Sequence, residues 1–362
     1  MNLNKTALVL GATGGIGGEV ARQLLTAGWR VKALNRKASQ LAGSAVGLPR
    51  GGDMARHTTN VDQAHAAGKH NKLEWIQGDA MNHPDVVSAA QGCSVIVHAV
   101  NPPGYRRWSE LVLPMLDNTI AAAQASGARI VLPGTVYNHG PDAFPVLRED
   151  SPQRPVTRKG AIRVEMERRL QAAQAQGVRS LVVRAGDFFG PHAANNWFTQ
   201  GLVKPGRPIT RISNPGRRGI GHQWAYLPDV ARTMLELIAR EHTLEPFAAF
   251  HMRGHWDADG TEFVEAIRRV VVEAGGKPPK VGAFPWWAVV LGSPFVPLFR
   301  ELSEMRYLWR QPIRMDNSRL VAALGHEPHT PLDAAVKATL VGMGVLSQDA
   351  VPAGALLASR GG

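Results

Sequence analysis

Short apolar runs alternate with longer segments of mixed polarity through the first half of this 362-residue chain. The intervening segments have helical periodicity up to about Ala27, around 109–126 and from about Lys159. Strands that are apolar throughout are typical of a parallel sheet with helices on both faces. The pattern therefore predicts an α/β fold with a doubly wound parallel sheet. The predicted strands are TALVLG (6–11), RVKALNR (30–36), LEWIQGD (73–79), SVIVHAV (94–100), RIVLPGT (129–135) and SLVVRAGDF (180–188).

The same pattern divides the chain into parts of different character. Residues 1–190 carry the predicted sheet, and residues 37–72 interrupt it with a polar, Gly- and His-rich stretch, which indicates an insertion that forms a flap over the ligand site. Residues 191–346 mix loops and helices and are rich in Pro, Trp and Arg. We expect them to form a smaller C-terminal substrate lobe that is interleaved with the last strands. Residues 347–362 are expected to form a flexible tail.

The first predicted strand leads directly into a glycine-rich turn, LVLGATGGIGGEV. Gly11 permits the strand-to-helix turn, Gly14 lets the backbone approach a pyrophosphate, and Gly17 allows the helix to pack closely on the strand. The helix N-terminus supplies N–H donors to the phosphates. A tight turn without a ligand has the same glycines, but in this context the motif predicts a Rossmann-type dinucleotide-binding domain. The turn also contains Thr13, Gly15 and Ile16.

The end of the second predicted strand bears on the choice of cofactor. An acidic residue there would bind the ribose hydroxyls of NAD, but the chain reads LNRK, so Arg36 with Lys37 is placed to meet a 2′-phosphate. This favours NADP(H) and leaves NAD(H) open, because an exposed basic turn has the same sequence. Asp79 and Ala80 follow the third strand, where a carboxylate reaches the adenine edge; a plain turn fits equally.

The composition excludes several classes of protein. Cys93 is the only cysteine, so we expect neither a disulfide framework nor a cysteine metal site, and a cytoplasmic location fits. The N-terminal sequence does not have a signal-peptide pattern. The most apolar segment, 284–299, is 16 residues long with three prolines, too short and too broken to span a bilayer. We expect it to be a buried substrate cap; a dimer patch and a surface-seated membrane patch are the alternatives.

The chain is strongly basic, with a formal net charge of +12. Residues 154–218 hold 13 Lys and Arg against 3 Asp and Glu. Such a span is either a basic surface or a pocket wall that meets phosphates or acidic ligands. No nucleic-acid-binding motif accompanies it, so the expected partner is a small-molecule substrate rather than nucleic acid.

Several motifs support a family assignment: GATGGIG, QGDA, VIVHAV, VLPGTVYNHG, VVRAGDFFGP, HQWAYLPDVA and LGHEPHTPL. Together, over roughly residues 5–345, they resemble the short-chain dehydrogenase/reductase superfamily in its extended or atypical branch, that of NAD-dependent epimerases and dehydratases. The resemblance implies that Ala99 and Val100 line the adenosine and ribose path and that Ala185 and Gly186 lie beside the nicotinamide. It implies that Thr135 hydrogen-bonds the substrate oxygen, although a turn-capping hydroxyl fits the same place. The residues expected to bind substrate are Asn101, Asp187, Phe188, Trp197, His222 and Trp224.

Two departures from the family pattern concern the chemistry. The family's Tyr-x-x-x-Lys pair is absent, and in PVTRKGAIRVEMERRL (155–170) Lys159 stands at the tyrosine and Arg163 at the lysine. The arginine that holds the diphosphate in nucleotide-sugar enzymes is replaced by His222. The stretch KGAIRVEME also resembles the helix of isoflavone reductase-like and NmrA-like members, in whose reductases the helix lysine, matched here by Lys159, is the proton donor or base.

A lysine can act as an acid at this place. Free lysine is a poor base at neutral pH but a usable acid, and burial beside positive charge brings a lysine nearer the range of efficient acid–base catalysis. Arg163 lies on the same helical face and can bind the cofactor ribose or a carboxylate. Alternatively, Lys159 and Arg163 are solvated and pair with Glu165, Glu167 or nearby loops. Other candidate acids are Tyr137 and Tyr105.

Three functions remain open from the sequence. The first is an NAD(P)(H)-dependent oxidoreductase acting on a small to medium-sized, aromatic substrate, with Lys159 as proton donor, Thr135 as oxygen anchor and Arg163 as orienting residue. The second is an NAD-dependent epimerase or dehydratase for a sugar or sugar nucleotide. The third is a non-catalytic NADP-binding redox sensor. The stretch HMRGHWD (251–257) contains two histidines and an aspartate, but its glycine indicates a loop. A zinc site needs a third ligand and an entry path, so no metal site is expected here. A homodimer is left open.

Overall fold

The computed structural model of the protein describes residues 5–42, 73–102, 107–193 and 196–347. Most of the predicted insertion, Tyr105 and nearly all of the predicted C-terminal tail lie outside the described residues.

Strands and helices alternate through the first half of the chain, as the apolar pattern predicts. The predicted strand SLVVRAGDF is divided in two, because the backbone leaves the sheet after Arg184 and forms a separate strand from Asp187. The elements are β1 (Thr6–Leu10), α1 (Gly15–Thr26), β2 (Arg30–Asn35), α2 (Ala38–Ala42), β3 (Leu73–Gln77), α3 (His83–Ala90), β4 (Val95–His98), α4 (Trp108–Ser126), β5 (Arg129–Gly134), β6 (Val146–Leu147), α5 (Arg158–Ala172), β7 (Ser180–Arg184) and β8 (Asp187–Phe189).

The second half has shorter strands and more loops. Its elements are β9 (Arg211–Asn214), β10 (His222–Tyr226), α6 (Leu227–Ala239), β11 (Phe247–His251), β12 (His255–Asp257), α7 (Glu262–Glu273), β13 (Lys280–Ala283), α8 (Trp286–Gly292), α9 (Pro297–Glu304), β14 (Arg314–Met315), α10 (Ser318–Leu324) and α11 (Leu332–Gly342).

Within the described residues, seven strands form a parallel sheet in the order β11-β7-β5-β4-β1-β2-β3. The predicted doubly wound α/β fold is therefore confirmed. The strand order reverses between β1 and β4, which opens a crevice at the carboxyl ends of the strands. β11 belongs to the second half of the chain and pairs with β7 at the sheet edge. The domain boundary at residue 190 stays a prediction.

Helices cover both faces of the sheet. Ala7 and Val9 of β1 belong to one apolar cluster and Leu8 and Leu10 to another, because successive side chains of a strand face opposite sides. α1 and α6 pack on the first face, and α3, α4 and α5 pack on the second. Burial on both faces explains why the strand sequences are apolar runs rather than alternations.

A second core, rich in aromatic residues, lies beside the sheet. It is built around the three-stranded sheet β12-β10-β8 and helix α7. Trp224 stacks on Phe263 with ring centroids 4.1 Å apart, and Phe189 meets the same ring edge-on at 4.9 Å. This core supports one wall of the cavity described next.

Candidate active site

A cavity of about 820 Å³ lies at the carboxyl ends of the parallel strands. Its volume is within the usual range of ligand sites, and its place is where open α/β sheets bind ligands. The residues after β1, β2, β3, β4, β5 and β7 all contribute to its wall.

Most of the residues predicted to form the site line this one cavity. They are Gly11, Thr13, Gly14, Gly15, Ile16, Arg36, Asp79, Ala80, Ala99, Val100, Asn101, Thr135, Tyr137, Lys159, Arg163, Ala185, Gly186, Asp187, Phe188 and Trp197. Gly17, His222 and Trp224 are not among the lining residues. The cavity therefore brings together the glycine turn, the end of β2 and the helix that carries Lys159 and Arg163.

Three glycines of the turn between β1 and α1 lie in different surroundings. Gly11 has a φ of +94°, and a Cβ there would lie 2.5 Å from the carbonyl oxygen of Ala99. A Cβ on Gly17 would lie 2.3 Å from the carbonyl oxygen of Gly11, so this glycine allows α1 to approach β1. A Cβ on Gly14 would lie 3.3 Å from the carbonyl oxygen of Gly11, a tight contact. α1 begins without a side-chain cap, which leaves its first N–H groups for a ligand.

Arg36 and Asp79 lie on the cavity wall at the ends of β2 and β3. Arg36 is exposed, and no carboxylate of the described residues lies within ion-pair distance of it. The carboxylate of Asp79 accepts the backbone N–H of Met81 at 3.0 Å, and the backbone N–H of Asp79 donates to Asp85 at 2.8 Å. Asp79 therefore organises its own turn as well as lining the cavity.

Lys159 is buried and forms an ion pair with Glu301 of α9. Its Nζ lies 2.7 Å from Oε2 of Glu301, and both side chains line the cavity. Glu301 could not be predicted from the sequence, because no local spacing connects a residue of α9 with the start of α5. The two carboxylates considered as partners bind elsewhere: Glu165 pairs with Arg168 and Arg169, and Glu167 pairs with Arg184.

The start of α5 is placed by a cap and by a close approach. The hydroxyl of Thr157 accepts the backbone N–H of Gly160 at 3.0 Å, which fixes the first turn of the helix. A Cβ on Gly160 would lie 2.2 Å from the carbonyl oxygen of Tyr137, so glycine is what lets α5 pack on the turn after β5. This approach brings Lys159 to the same wall as Thr135 and Tyr137.

Thr135 lies at the end of β5 and caps the short 3-10 turn Val136–Asn138. Its hydroxyl oxygen accepts the backbone N–H of Tyr137 at 3.4 Å. The hydroxyl still lines the cavity and has a proton to donate. The turn-capping alternative and the cavity position are therefore compatible.

Arg163 is held by groups from two other elements. Its Nη1 donates to the carbonyl oxygen of Pro133 at 3.4 Å, and its guanidinium lies 5.5 Å from the ring centroid of Trp108. Burial, and then the charge of Arg163, lower the pKa of His98 to about 3. His98 is thus neutral at physiological pH, and Arg163 is the cation of this corner of the cavity.

His222 and Trp224 lie behind the cavity wall in the second core. Nε2 of His222 is 2.8 Å from Oδ2 of Asp187, and the imidazole stacks on Trp309 at 3.7 Å between centroids. His222 therefore supports Asp187, which lines the cavity, and Trp224 packs on Phe263. Both residues contribute to the wall from its core side.

Apolar and aromatic side chains make up much of the remaining wall. Trp108, Val112 and Met115 come from α4, and Leu302 and Met305 come from α9 and the turn after it. Trp197 packs against Trp286 and Trp309 and completes this side. The contributions of α4 and α9 were not predicted, since nothing in their sequences distinguishes cavity-facing apolar residues from core residues.

The apolar segment 284–299 contributes none of the residues that line the cavity among those the structure describes. Val289 is buried and Trp286 is half-buried, its indole N–H donating to the carbonyl oxygen of Pro215 at 2.8 Å. Trp287 and Phe295, by contrast, are 74% and 85% exposed. The expectation of a buried cap is therefore wrong for the outer half of the segment. Among the described residues, no helix is both long and apolar enough to cross a bilayer.

The histidines of HMRGHWD do not meet at one point. His251 contacts Arg184, and Asp257 accepts backbone N–H groups at the start of α7. His255 instead lies near Asp229 and His329, with one ligand atom from each within 4.8 Å of the others. Asp229 already accepts hydrogen bonds from Thr330 and Arg232, and the arginine charge opposes a cation, so we assign no metal there.

Comparison with known protein families identifies one family that matches most of the chain. The model of the NAD dependent epimerase/dehydratase family matches residues 7–247. No curated protein sequence matches significantly.

Solved structures that share the fold have low sequence identity. UDP-glucose 4-epimerase of Thermus thermophilus in complex with NAD is 18% identical, with a TM-score of 0.61, covering 93% of this chain and 98% of that one. A UDP-glucuronic acid 4-epimerase variant from Bacillus cereus, in complex with a fluorinated UDP-sugar and NAD, is 14% identical, with a TM-score of 0.64 and coverage of 93% and 98%. WbmH of Bordetella bronchiseptica in complex with NAD+ is 16% identical, with a TM-score of 0.61 and coverage of 96% and 99%.

Proposed function

The chain belongs to the NAD-dependent epimerase/dehydratase family, and from that premise we propose that it is a nicotinamide-dependent oxidoreductase in which Lys159 replaces the family tyrosine as proton donor. The observation that carries the proposal is the buried Lys159, paired with Glu301 on the wall of the cavity that also contains Thr135 and the glycine turn. Glu301 supplies the compensation that burial of a charge requires, and the pair keeps a protonated amine on the wall of the cavity.

The residues present fit a dinucleotide. The turn at Gly14 offers backbone that a ligand can approach, and the uncapped N-terminus of α1 suits a pyrophosphate. Ala99 and Val100 would line the adenosine and ribose path, while Ala185 and Gly186 would lie beside the nicotinamide. Arg36, with Lys37, supports a preference for NADP(H), since the wall at the end of β2 offers a cation where an NAD-specific site has an acid.

When bound, the nicotinamide supplies a hydride to the substrate carbon or accepts one from it. Lys159 donates a proton from Nζ to the substrate oxygen as that oxygen gains charge. The hydroxyl of Thr135 donates a hydrogen bond to the same oxygen and so fixes its position. Arg163 orients the nicotinamide ribose, because Pro133 and Trp108 hold its guanidinium in place. Glu301 keeps the ammonium of Lys159 on the cavity wall.

The character of the wall supports a substrate with apolar or aromatic parts. Trp108, Met115, Trp197 and Leu302 face the cavity, and His222, at the family's diphosphate-binding place, stacks behind the wall on Trp309. A nucleotide diphosphate needs cationic or N–H donors on the substrate side. Enones, quinones and aromatic aldehydes are therefore the first substrates to test.

The decisive experiment compares Lys159→Met with wild type. We expect fluorescence titration to give NADPH affinities for the variant and for wild type that agree within about threefold. Turnover of the best enone, quinone or aldehyde by the variant should fall by about 10²-fold to 10⁴-fold, which is the usual contribution of a general acid to the rate. Lys277→Met, an exposed lysine after α7, is the matched control and should keep full activity. Full activity in Lys159→Met would contradict the proposed role, and tight cofactor binding without turnover of any substrate would favour a redox sensor.

A second candidate is an epimerase or dehydratase that acts on a sugar nucleotide. The family match and the sugar-nucleotide complexes among the similar structures favour it. Such an enzyme recycles its cofactor, so UDP-sugars would be converted without net consumption of NAD(P)H. Chromatography of UDP-glucose and UDP-glucuronic acid after incubation with enzyme and catalytic NAD+ distinguishes the two functions.

A further inference from the structure

The outer side of α8 and the turn between α8 and α9 expose a group of large apolar side chains. Trp287 is 74% exposed, Leu291 71% and Phe295 85%, and Val290 and Val296 beside them are also exposed. We call these five residues the outer patch. The other large apolar residues that are exposed in the described ranges are separated from one another along the chain: Met81, Val156, Val272, Val281 and Val321.

The spacing within α8 makes the outer patch a continuous face. Trp287, Val290 and Leu291 stand at positions i, i+3 and i+4, which lie together on one side of a helix. Val289 points to the other side and is 3% exposed. Helix α8 is therefore apolar on two sides, and only its inner side is buried in the fold. An exposed apolar face of this kind marks a surface that contacts something apolar.

Arginines lie close to α8, the helix that carries most of the outer patch. The guanidinium of Arg306 lies 5.6 Å from the ring centroid of Trp286, the residue before Trp287 in α8. Burial lowers the pKa of Arg306, and the charges of Arg310 and Arg217 lower it further. Arg300 is exposed on α9, whereas Glu301 of the same helix is paired with Lys159 at the cavity. A partner that complements this arrangement has an apolar interior and anionic groups at its boundary.

We propose that the outer patch seats the protein on the surface of a membrane that contains anionic lipid. Trp287, Leu291 and Phe295 enter the boundary between headgroups and acyl chains, and Arg300 and Arg306 bind lipid phosphates. A second copy of the chain fits less well, because a standard protein interface uses roughly 20–30 residues a side, and here five apolar side chains are concentrated on one short helix and the turn after it. The proposal does not depend on the proposed reaction.

The test is co-sedimentation of the full chain with vesicles. Wild type should bind vesicles of phosphatidylcholine with 30% phosphatidylglycerol, and raising the salt from 50 to 500 mM should weaken binding by about tenfold or more, because screening shortens the reach of the arginines. The triple variant Trp287→Ser/Leu291→Ser/Phe295→Ser should bind at least about tenfold more weakly. The matched control, Val156→Ser/Val272→Ser/Val281→Ser, removes exposed apolar side chains elsewhere and should bind as wild type does.

Two further measurements make the result specific. Brominated lipids should quench wild-type tryptophan fluorescence more than that of Trp287→Phe, because Trp287 is the indole that enters the bilayer. Light scattering after size exclusion reports the oligomeric state. Absence of wild-type binding at low salt, or equal binding by the triple variant, would overturn the proposal. So would a wild-type dimer that the triple variant converts to a monomer without any vesicle binding, since the outer patch would then be a dimer interface.

Discussion

At the scale of single residues, the proposed proton donor is what most distinguishes the site from the family pattern. We place Lys159 at the tyrosine position on α5, and its charge is balanced by Glu301 rather than by solvent. A tyrosine would need no such partner, because it is neutral in its acid form. The change of donor and the presence of a carboxylate on α9 are therefore physically connected.

Glu301→Gln tests that connection. The amide can still accept a hydrogen bond from Lys159 but does not attract its charge, so the ammonium loses its fixed position, and we expect kcat to fall about 10-fold to 100-fold with the NADPH affinity unchanged. Glu301→Asp should restore part of the activity. Glu304→Gln, on the same helix, serves as the control. A change in substrate KM with constant kcat would instead assign Glu301 to substrate binding.

Arg36→Glu tests the cofactor preference. Placing a carboxylate at the end of β2 should weaken NADPH binding by about 10-fold to 100-fold, because a charge-assisted contact is lost and a repulsion replaces it. NADH binding should stay constant or improve. Arg30→Glu, at the opposite end of the same strand, is the control for net charge. Equal losses for both cofactors would mean that Arg36 does not contact the 2′-phosphate.

At the scale of elements, most of the first half was predictable from the sequence. SVIVHAV became β4 (Val95–His98) and RIVLPGT became β5 (Arg129–Gly134), because strands buried on both faces must be apolar throughout. The break of SLVVRAGDF was not predicted. It arises at Gly186, where a Cβ would lie 2.3 Å from the carbonyl oxygen of Gln223, a contact between distant parts of the chain.

The contact between α5 and the turn after β5 leads to a prediction about Gly160. Gly160→Ala adds a Cβ that would overlap the carbonyl oxygen of Tyr137, so α5 must shift and carry Lys159 with it. We expect kcat to fall by about 10-fold or more while NADPH affinity changes little, because displacement of a catalytic group is costly. Ala161→Gly, at the exposed neighbouring position, changes helix propensity without this overlap and controls for it. Unchanged kcat in Gly160→Ala would show that the approach of α5 does not set the geometry.

At the scale of the whole molecule, the sequence predicted one half of the site better than the other. The dinucleotide half is formed by a local motif, LVLGATGGIG, whose glycine spacing has a direct physical cause. The opposite wall depends on α9, which reaches the cavity from far along the chain and brings Glu301 and Leu302. Its place is fixed by the aromatic core around Trp309, and no short-range pattern encodes such packing.

The buried histidines predict how stability depends on pH. Burial, and then a neighbouring charge in each case, lowers the pKa of His98 to about 3, of His139 and His255 to about 4 and of His251 to about 2, from an ordinary value of 6.5. The unfolded chain then binds more protons than the folded one below about pH 6.5, so acid favours unfolding. Each such group lowers the free energy of unfolding by up to about 1.4 kcal/mol per pH unit between its two pKa values.

Urea denaturation at pH 7.5, 6.5, 5.5 and 4.5 measures this dependence. We expect the free energy of unfolding to be nearly constant down to pH 6.5 and to fall steadily below it. His98→Asn should reduce the slope, whereas His242→Gln, which changes an exposed histidine, should leave it unchanged. A free energy that stays flat between pH 6.5 and 4.5 would contradict the prediction.

The ion pair between Lys159 and Glu301 has a consequence for the order of events in a catalytic cycle. Lys159 belongs to α5 of the sheet-forming half and Glu301 to α9 on the opposite wall of the cavity, so this 2.7 Å contact is one that joins the two walls. If Lys159 gives up its proton, the attraction between the walls weakens at the moment when product has formed. The proton that the reaction consumes would then also set the strength of the contact between α5 and α9.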